Sequence, residues 1–156
     1  MKTKISEFIA TGFYSGYLPY APGTWGSWVA MIIVALCSLF SEAHMPILCL
    51  SLAVISTVIG IPTSEHFSNS IQKKDPGIVV IDEFAGQFLA FVLVPLSGLN
   101  LILGFLTFRL FDILKPWPAG RLQELPGGYG IVIDDVAAGI YAMLATYALD
   151  RVITFL

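Results

Sequence analysis

The stretch from Thr107 to Tyr141, TFRLFDILKPWPAGRLQELPGGYGIVIDDVAAGIY, decides how this chain is read. It carries Arg109, Asp112, Lys115, Arg121, Glu124, Asp134 and Asp135 between apolar runs, in a sequence that is 12% charged and 56% hydrophobic. Ionised groups beside apolar sequence are costly unless paired, hydrated or bound to a metal, so the chemistry is expected here. Pro116 and Pro118 end one helix within the stretch. The Pro126-Gly127-Gly128-Tyr129-Gly130 segment reads as a loop, and Asp134-Asp135 as the opening of a last helix with Asp150-Arg151 near its far end.

Working outward, 156 residues amount to one domain, taken as residues 1–156. A mean hydropathy of +0.81 exceeds what an ordinary soluble interior needs and predicts a membrane-embedded chain. The net charge of -3 and pI near 5.2 supply no basic field, which argues against nucleic acid as a partner. Cys37 and Cys49 lie in apolar runs without metal-type spacing and read as reduced. No protein partner is implied by any segment, and MKTKISEF is not a signal-peptide start.

Ala21-Pro22-Gly23 is a turn, and Thr24 is the expected N-cap of a helix from about Trp25 to Phe40. A polar break, Ser41-Glu42-Ala43-His44, precedes a second apolar run from Pro46 to Ile61. Residues 63–77 read as solvated, with a short helix ending at Lys73-Lys74-Asp75-Pro76-Gly77. Ile78 to Ile81 is β-branched but lacks a partner strand, so it is the lead-in to a helix. Asp82-Glu83 opens a third run, Phe84 to Val94, broken at Pro95-Leu96-Ser97-Gly98, and a fourth from Leu99 leads back into the opening stretch.

This is an all-α pattern, a helical bundle of short apolar helices with a polar, carboxylate-rich site at one end. Each run is shorter than the roughly 20 residues that cross a bilayer core comfortably, which predicts tilted or partly inserted helices. Two hairpins and a final helix would gather Lys2, Lys4, Lys73, Lys74, Arg109, Lys115 and Arg121 on one side, which the positive-inside rule makes cytoplasmic. The same topology gathers Asp82, Glu83, Asp112, Asp134 and Asp135 at that face and leaves Glu42, Asp150 and Arg151 at the other. A soluble all-helical domain with a greasy core is the alternative architecture.

Both acidic pairs precede apolar helices, where one carboxylate can cap free N–H groups. Capping does not call for two adjacent acids twice, nor for Asp112 at a helix C-terminus. Five gathered carboxylates raise one another's pKa unless a counter-charge is present. A hard divalent cation supplies it, and an all-oxygen ligand set of Asp82, Glu83, Asp112, Asp134 and Asp135 suits Mg²⁺ or Mn²⁺. Arg109 and Asp112 share a helix face, with Lys115 one turn on. Arg109 and Lys115 together are a candidate clamp for an anion such as phosphate. Thr24, Ser27 and the free N–H groups near them could donate to the same phosphate. His44 and His66 lie outside the cluster, and no Cys-x5-Arg or G-x-S-x-G occurs. A hydrolase built from these residues would use metal-activated water.

Four blocks, PYAPGTWGS (19–27), DPGIVVIDEFAGQ (75–87), FRLFDILKPWP (108–118) and GGYGIVIDDVAAG (127–139), resemble successive signatures of the phosphatidylglycerophosphatase A family. The resemblance implies a helical enzyme of the bacterial cytoplasmic (inner) membrane, multi-pass, with its active site facing the cytoplasm. It implies Mg²⁺-dependent hydrolysis of phosphatidylglycerophosphate, a phospholipid substrate held in the membrane, to phosphatidylglycerol and phosphate. It also lends functional weight to Asp82, Glu83, Arg109, Asp112, Lys115, Asp134 and Asp135. The Gln123-Glu124-Leu125-Pro126 segment fits the pattern more loosely. The main alternative is a small multi-pass cation- or proton-coupled transporter, which wants acids near the bilayer midplane rather than flanking the apolar runs. A CDP-alcohol phosphotransferase is disfavoured because its D-G-x2-A-R signature is absent.

Overall fold

The computed structural model describes residues 2–40 and 42–155, so Ser41 of the expected polar break lies outside the described residues. Among them there is no strand, and the predicted all-helical class is what the structure has. The α-helices are α1 (Lys2–Ala10), α2 (Pro22–Ser38), α3 (Met45–Ser70), α4 (Ile81–Leu89), α5 (Gly98–Leu114), α6 (Ala119–Leu122) and α7 (Gly128–Phe155). Helix α4 is central, packing against α2, α3 and α7, while α7 also packs against α3 and α5, and α1 against α3; the successive pairs α2–α3 and α4–α5 touch little, so the expected two hairpins are not the packing units.

Several boundaries differ from the sequence reading, each for a local reason. Helix α2 begins at Pro22, whose fixed φ and missing N–H suit the first helical position, so Thr24 lies inside the first turn and is not the N-cap. Helix α3 does not stop near Ile61 but runs through Pro62 to Ser70. Thr63 Oγ1 donates to the Ile59 carbonyl at 2.7 Å beside the gap that Pro62 leaves. Packing holds both flanks of that gap. A Cβ on Gly60 would meet Ile81 at 3.2 Å, and one on Gly128 would meet the Ile61 carbonyl at 1.9 Å. Helix α7 starts at Gly128, directly after Gly127 in the left-handed region (φ 62°), rather than at Asp134. Asp134 and Asp135 therefore sit nearly two turns inside a helix, where the capping explanation cannot apply.

The lead-in over residues 78–80 is as expected: Val80 donates its N–H to the Ala10 carbonyl at 2.8 Å, and α4 follows. Ser97 caps α5 by accepting from the Asn100 N–H at 3.1 Å, and Lys115 ends α5 in a left-handed conformation (φ 41°).

With 26 and 28 residues, α3 and α7 exceed the length that a bilayer crossing needs, correcting the expectation that every run falls short. Both are also apolar enough to cross a membrane. Around an apolar core, the exterior is also rich in apolar side chains. Ile47, Val58, Ile113 and Phe40 are exposed, while Ser27, Ser64, Gln87, Asn100 and Thr146 are buried. Polar groups tie helices together from inside: Thr107 and Thr146 share a 2.7 Å hydrogen bond between α5 and α7, and Asn100 Nδ2 donates to Asp150 Oδ1 at 2.7 Å. An apolar exterior around small and polar contacts suits a membrane-associated chain.

Candidate active site

A close backbone approach between α4 and α7 builds the site. A Cβ on Gly139 would fall 2.6 Å from the Gly86 carbonyl oxygen, and one on Gly86 would fall 2.5 Å from that of Asp135. Because neither glycine has a side chain, α4 and α7 cross with their backbones in contact. Gly86 lies one turn after Asp82 and Glu83, and Gly139 one turn after Asp135, so the crossing brings these acids face to face. Carboxylate oxygens of Asp82, Glu83 and Asp135 all lie within 4.8 Å of one another.

The other two predicted acids are engaged differently. Asp112 Oδ2 pairs with Arg109 Nη1 at 2.8 Å, the i,i+3 contact its spacing implied. Asp134 Oδ2 accepts a short hydrogen bond from Lys115 Nζ. The same ammonium lies 3.6 Å from Asp135 Oδ1 and 3.7 Å from Asp112 Oδ1. Arg109 Nη1 in turn lies 3.9 Å from Glu83 Oε1. All five acids and both cations thus form one network, and within it Asp82, Glu83 and Asp135 are the three whose oxygens come close enough together to share one ion.

The start of α2 closes one side. Gly23 packs so tightly that a Cβ there would fall 2.0 Å from Glu83 Oε1 and 3.3 Å from Arg109 Nη1. Ser27 is fully buried, its Oγ donating to the Gly23 carbonyl at 3.0 Å and accepting from Arg109 Nη1 at 3.4 Å. Ser27 therefore steadies the guanidinium. Thr24 instead lines a shallow cavity of about 270 Å³ with Pro19, Tyr20 and Trp28, one turn away from Ser27. Lys115 is held over α7 by its neighbours: Tyr141 Oη donates to the Trp117 carbonyl at 2.9 Å, and the Phe111 and Tyr141 rings touch.

Burial, then the negative charges of Glu83 and Asp135, hold the Asp82 carboxyl well above the usual range. Burial raises Glu83 as well, opposed by its hydrogen bond with Asp82 and by Arg109. Burial pulls Lys115 down, but the carboxylates of Asp135, Asp134 and Asp112 outweigh it and the ammonium is raised. Asp82 Oδ1, Glu83 Oε2 and Asp134 Oδ1 are buried with no hydrogen-bond partner among the described residues. The orphaned oxygens of Asp82 and Glu83, with the Asp135 carboxylate within 4.8 Å of both acids, are the donor set a hard divalent cation takes, so these three residues fit a metal ion.

Lys115 is the sole cation paired with buried Asp134 among the described residues, which gives a direct test of the network. Replacing Lys115 by Met should cost about 3 kcal/mol, since a buried charge pair is broken from one side. Denaturant unfolding followed by circular dichroism reads this, and Lys115→Arg should recover most of the loss.

Sequence reasoning did not single out Gly23, Gly86 and Gly139 as builders of the site. The available signal was their spacing, with Gly86 and Gly139 each one turn beyond an acidic residue.

Fold and site together describe a helical protein with a buried carboxylate cluster set beside an arginine and a lysine. That description has a family. A family model for phosphatidylglycerophosphatase A matches residues 8–150, and the chain belongs to this family of phosphatases. It is 38% identical over 147 residues to phosphatidylglycerophosphatase A of Haemophilus influenzae, covering 92% of this chain and 88% of that one. It is 33% identical to the Escherichia coli protein of the same name, covering 86% and 77%. A Bacteroides thetaiotaomicron protein, named provisionally as a phosphatidylinositol-3-phosphatase, is 36% identical with 87% of each chain covered. No solved structure matches the chain significantly.

Proposed function

We propose that this protein is a Mg²⁺-dependent lipid phosphatase that hydrolyses phosphatidylglycerophosphate to phosphatidylglycerol and inorganic phosphate within phospholipid biosynthesis. The observation that carries the reading is the meeting of Asp82, Glu83 and Asp135, two of them with orphaned oxygens, beside Arg109 and Lys115. Asp82, Glu83 and Asp135 would hold the ion. Bound there, it supplies Lewis acidity, polarising the phosphoryl group and making nearby water more acidic. Arg109 and Lys115 neutralise the phosphoryl oxygens as negative charge builds on the departing alkoxide, assisted by the N–H groups at the start of α2. Asp112 and Asp134 orient those two cations. A carboxylate of the cluster takes a proton from the attacking water as the bond from phosphorus to the lipid oxygen breaks, and that proton passes on to the departing alkoxide, which leaves as the lipid alcohol.

A lipid substrate is supported by the apolar exterior and by a cavity of about 260 Å³ lined by Ile81, Phe84, Phe88, Leu52 and Ile33. Ile81, Phe84 and Phe88 line it from α4, the helix that carries Asp82 and Glu83. In this reading residues 1–156 form one catalytic domain in the bacterial cytoplasmic membrane. The helices cross the bilayer several times and the site faces the cytoplasm, the side where Lys73, Lys74, Lys115 and Arg121 gather. The transporter alternative gains nothing from this geometry, because the acids cluster at the start of α4 and around a phosphatase-type cation pair.

The Bacteroides relative favours a second headgroup, a phosphatidylinositol bearing a phosphomonoester. Phosphate release from phosphatidylglycerophosphate, phosphatidylinositol 3-phosphate and phosphatidate, with Mg²⁺ and with chelator, separates the readings. The expected result is preference for phosphatidylglycerophosphate by at least about tenfold in kcat/KM, an energy difference near 1.4 kcal/mol, and loss of all activity in chelator. Equal turnover in chelator and in Mg²⁺ would sink the metal role, and preference for the inositol lipid would reassign the substrate.

A further inference from the structure

Gln87 is the one fully buried side chain of α4 whose polar atoms the site leaves unexplained. It is 0% exposed, and neither its Nε2 nor its Oε1 has a partner among the described residues. A buried carboxamide with nothing to bond is a liability that an apolar residue of the same size would remove. Its position offers a use. Gln87 lies four residues after Glu83 and so shares its face of α4, and helical side chains lean toward the N-terminus, which turns the amide back toward the acid layer. There the unpartnered Oε2 of Glu83 needs a donor, and Nε2 of Gln87 needs an acceptor.

We propose that Gln87 is a positioning residue of the acid cluster: in the cation-loaded site its Nε2 donates to Glu83 Oε2, directly or through one water. This fixes the rotamer in which Glu83 faces Asp82 and Asp135. The proposal rests on the cation reading above. It accounts for why α4 carries a buried amide where Met or Leu would pack equally well, and it makes the fold less stable for the sake of the site.

Mn²⁺ titration of the purified full chain in detergent, followed by electron paramagnetic resonance, tests it, with thermal unfolding recorded in chelator and in Mn²⁺. The variants are Gln87→Met, Gln87→Leu and Gln87→Glu, with Asp135→Asn as the control for the cation reading. Gln87→Met should unfold a few degrees higher than wild type in chelator yet bind Mn²⁺ at least tenfold more weakly, with kcat reduced at saturating metal. Gln87→Leu should do the same, which covers the case of one variant folding badly. Gln87→Glu keeps an acceptor but loses the donor, and should not restore binding. Mn²⁺ affinity of the Met and Leu variants within twofold of wild type, or a lower unfolding midpoint in chelator, would overturn the role of Gln87 alone. Tighter binding by Gln87→Glu would overturn it too, since the amide would then act through its oxygen. Wild-type protein with no saturable Mn²⁺ binding that Asp135→Asn abolishes would overturn the cation reading and this inference with it.

Discussion

Asp135→Asn should abolish turnover, with phosphate release falling by at least about a thousandfold, or roughly 4 kcal/mol of transition-state stabilisation. Asp135 is buried and contributes one of the three carboxylates that meet within 4.8 Å. An amide there keeps the shape and removes the charge that balances a divalent ion. The fold should survive, because Lys115 retains its contacts with Asp134 and Asp112 and because Asp82 and Glu83 lose a like-charged neighbour. In chelator the thermal midpoint should match wild type or exceed it. A variant that keeps activity within tenfold of wild type would remove Asp135 from the chemistry.

The second large effect comes from a single methyl group. Gly139→Ala places a Cβ 2.6 Å from the Gly86 oxygen and 2.7 Å from its Cα, against backbone on a neighbouring helix that has no rotamer to change. The two helices must separate by something near an ångström. Overpacking of this kind costs about 3 kcal/mol, a drop in melting midpoint of roughly 10 °C for a chain of this size. Separation also pulls Asp135 away from Asp82 and Glu83, and a displacement of about 1 Å can cost a hundredfold in rate. Gly98→Ala is the control, since nothing lies within 4 Å of its added Cβ. If Gly139→Ala keeps wild-type stability and rate, the close crossing is not what assembles the site.

Much of the site could be read along the chain because it depends on local spacing. The pairing of Arg109 with Asp112 follows from helical periodicity, and its 2.8 Å contact is what i,i+3 geometry gives. The lead-in at residues 78–80 was legible because a β-branched run without a partner strand has no sheet to join. Helix lengths were misread where a breaker is tolerated. Pro62 is accommodated because both flanks of α3 are packed, and the glycines at 127–130 start α7 instead of ending a loop, because Gly128 fits against the Ile61 carbonyl. Propensity carries no knowledge of a neighbouring helix, so no window of sequence could report either event.

By itself the sequence determined that the chain is helical, that its charge is concentrated at one end, and that five acids and two cations share that end. Those properties come from hydrophobic periodicity and the cost of charge beside apolar residues, both of which act over short distances along the chain. Which acid faces which partner was decided only in three dimensions. Asp134 and Asp135 are adjacent in sequence yet leave α7 about 100° apart: Asp134 accepts the hydrogen bond of Lys115, whereas Asp135, 3.6 Å from the same ammonium, also meets Asp82 and Glu83. The contact of α4 with α7 at Gly86 and Gly139 selects between them, because only two residues without side chains let the backbones approach that closely.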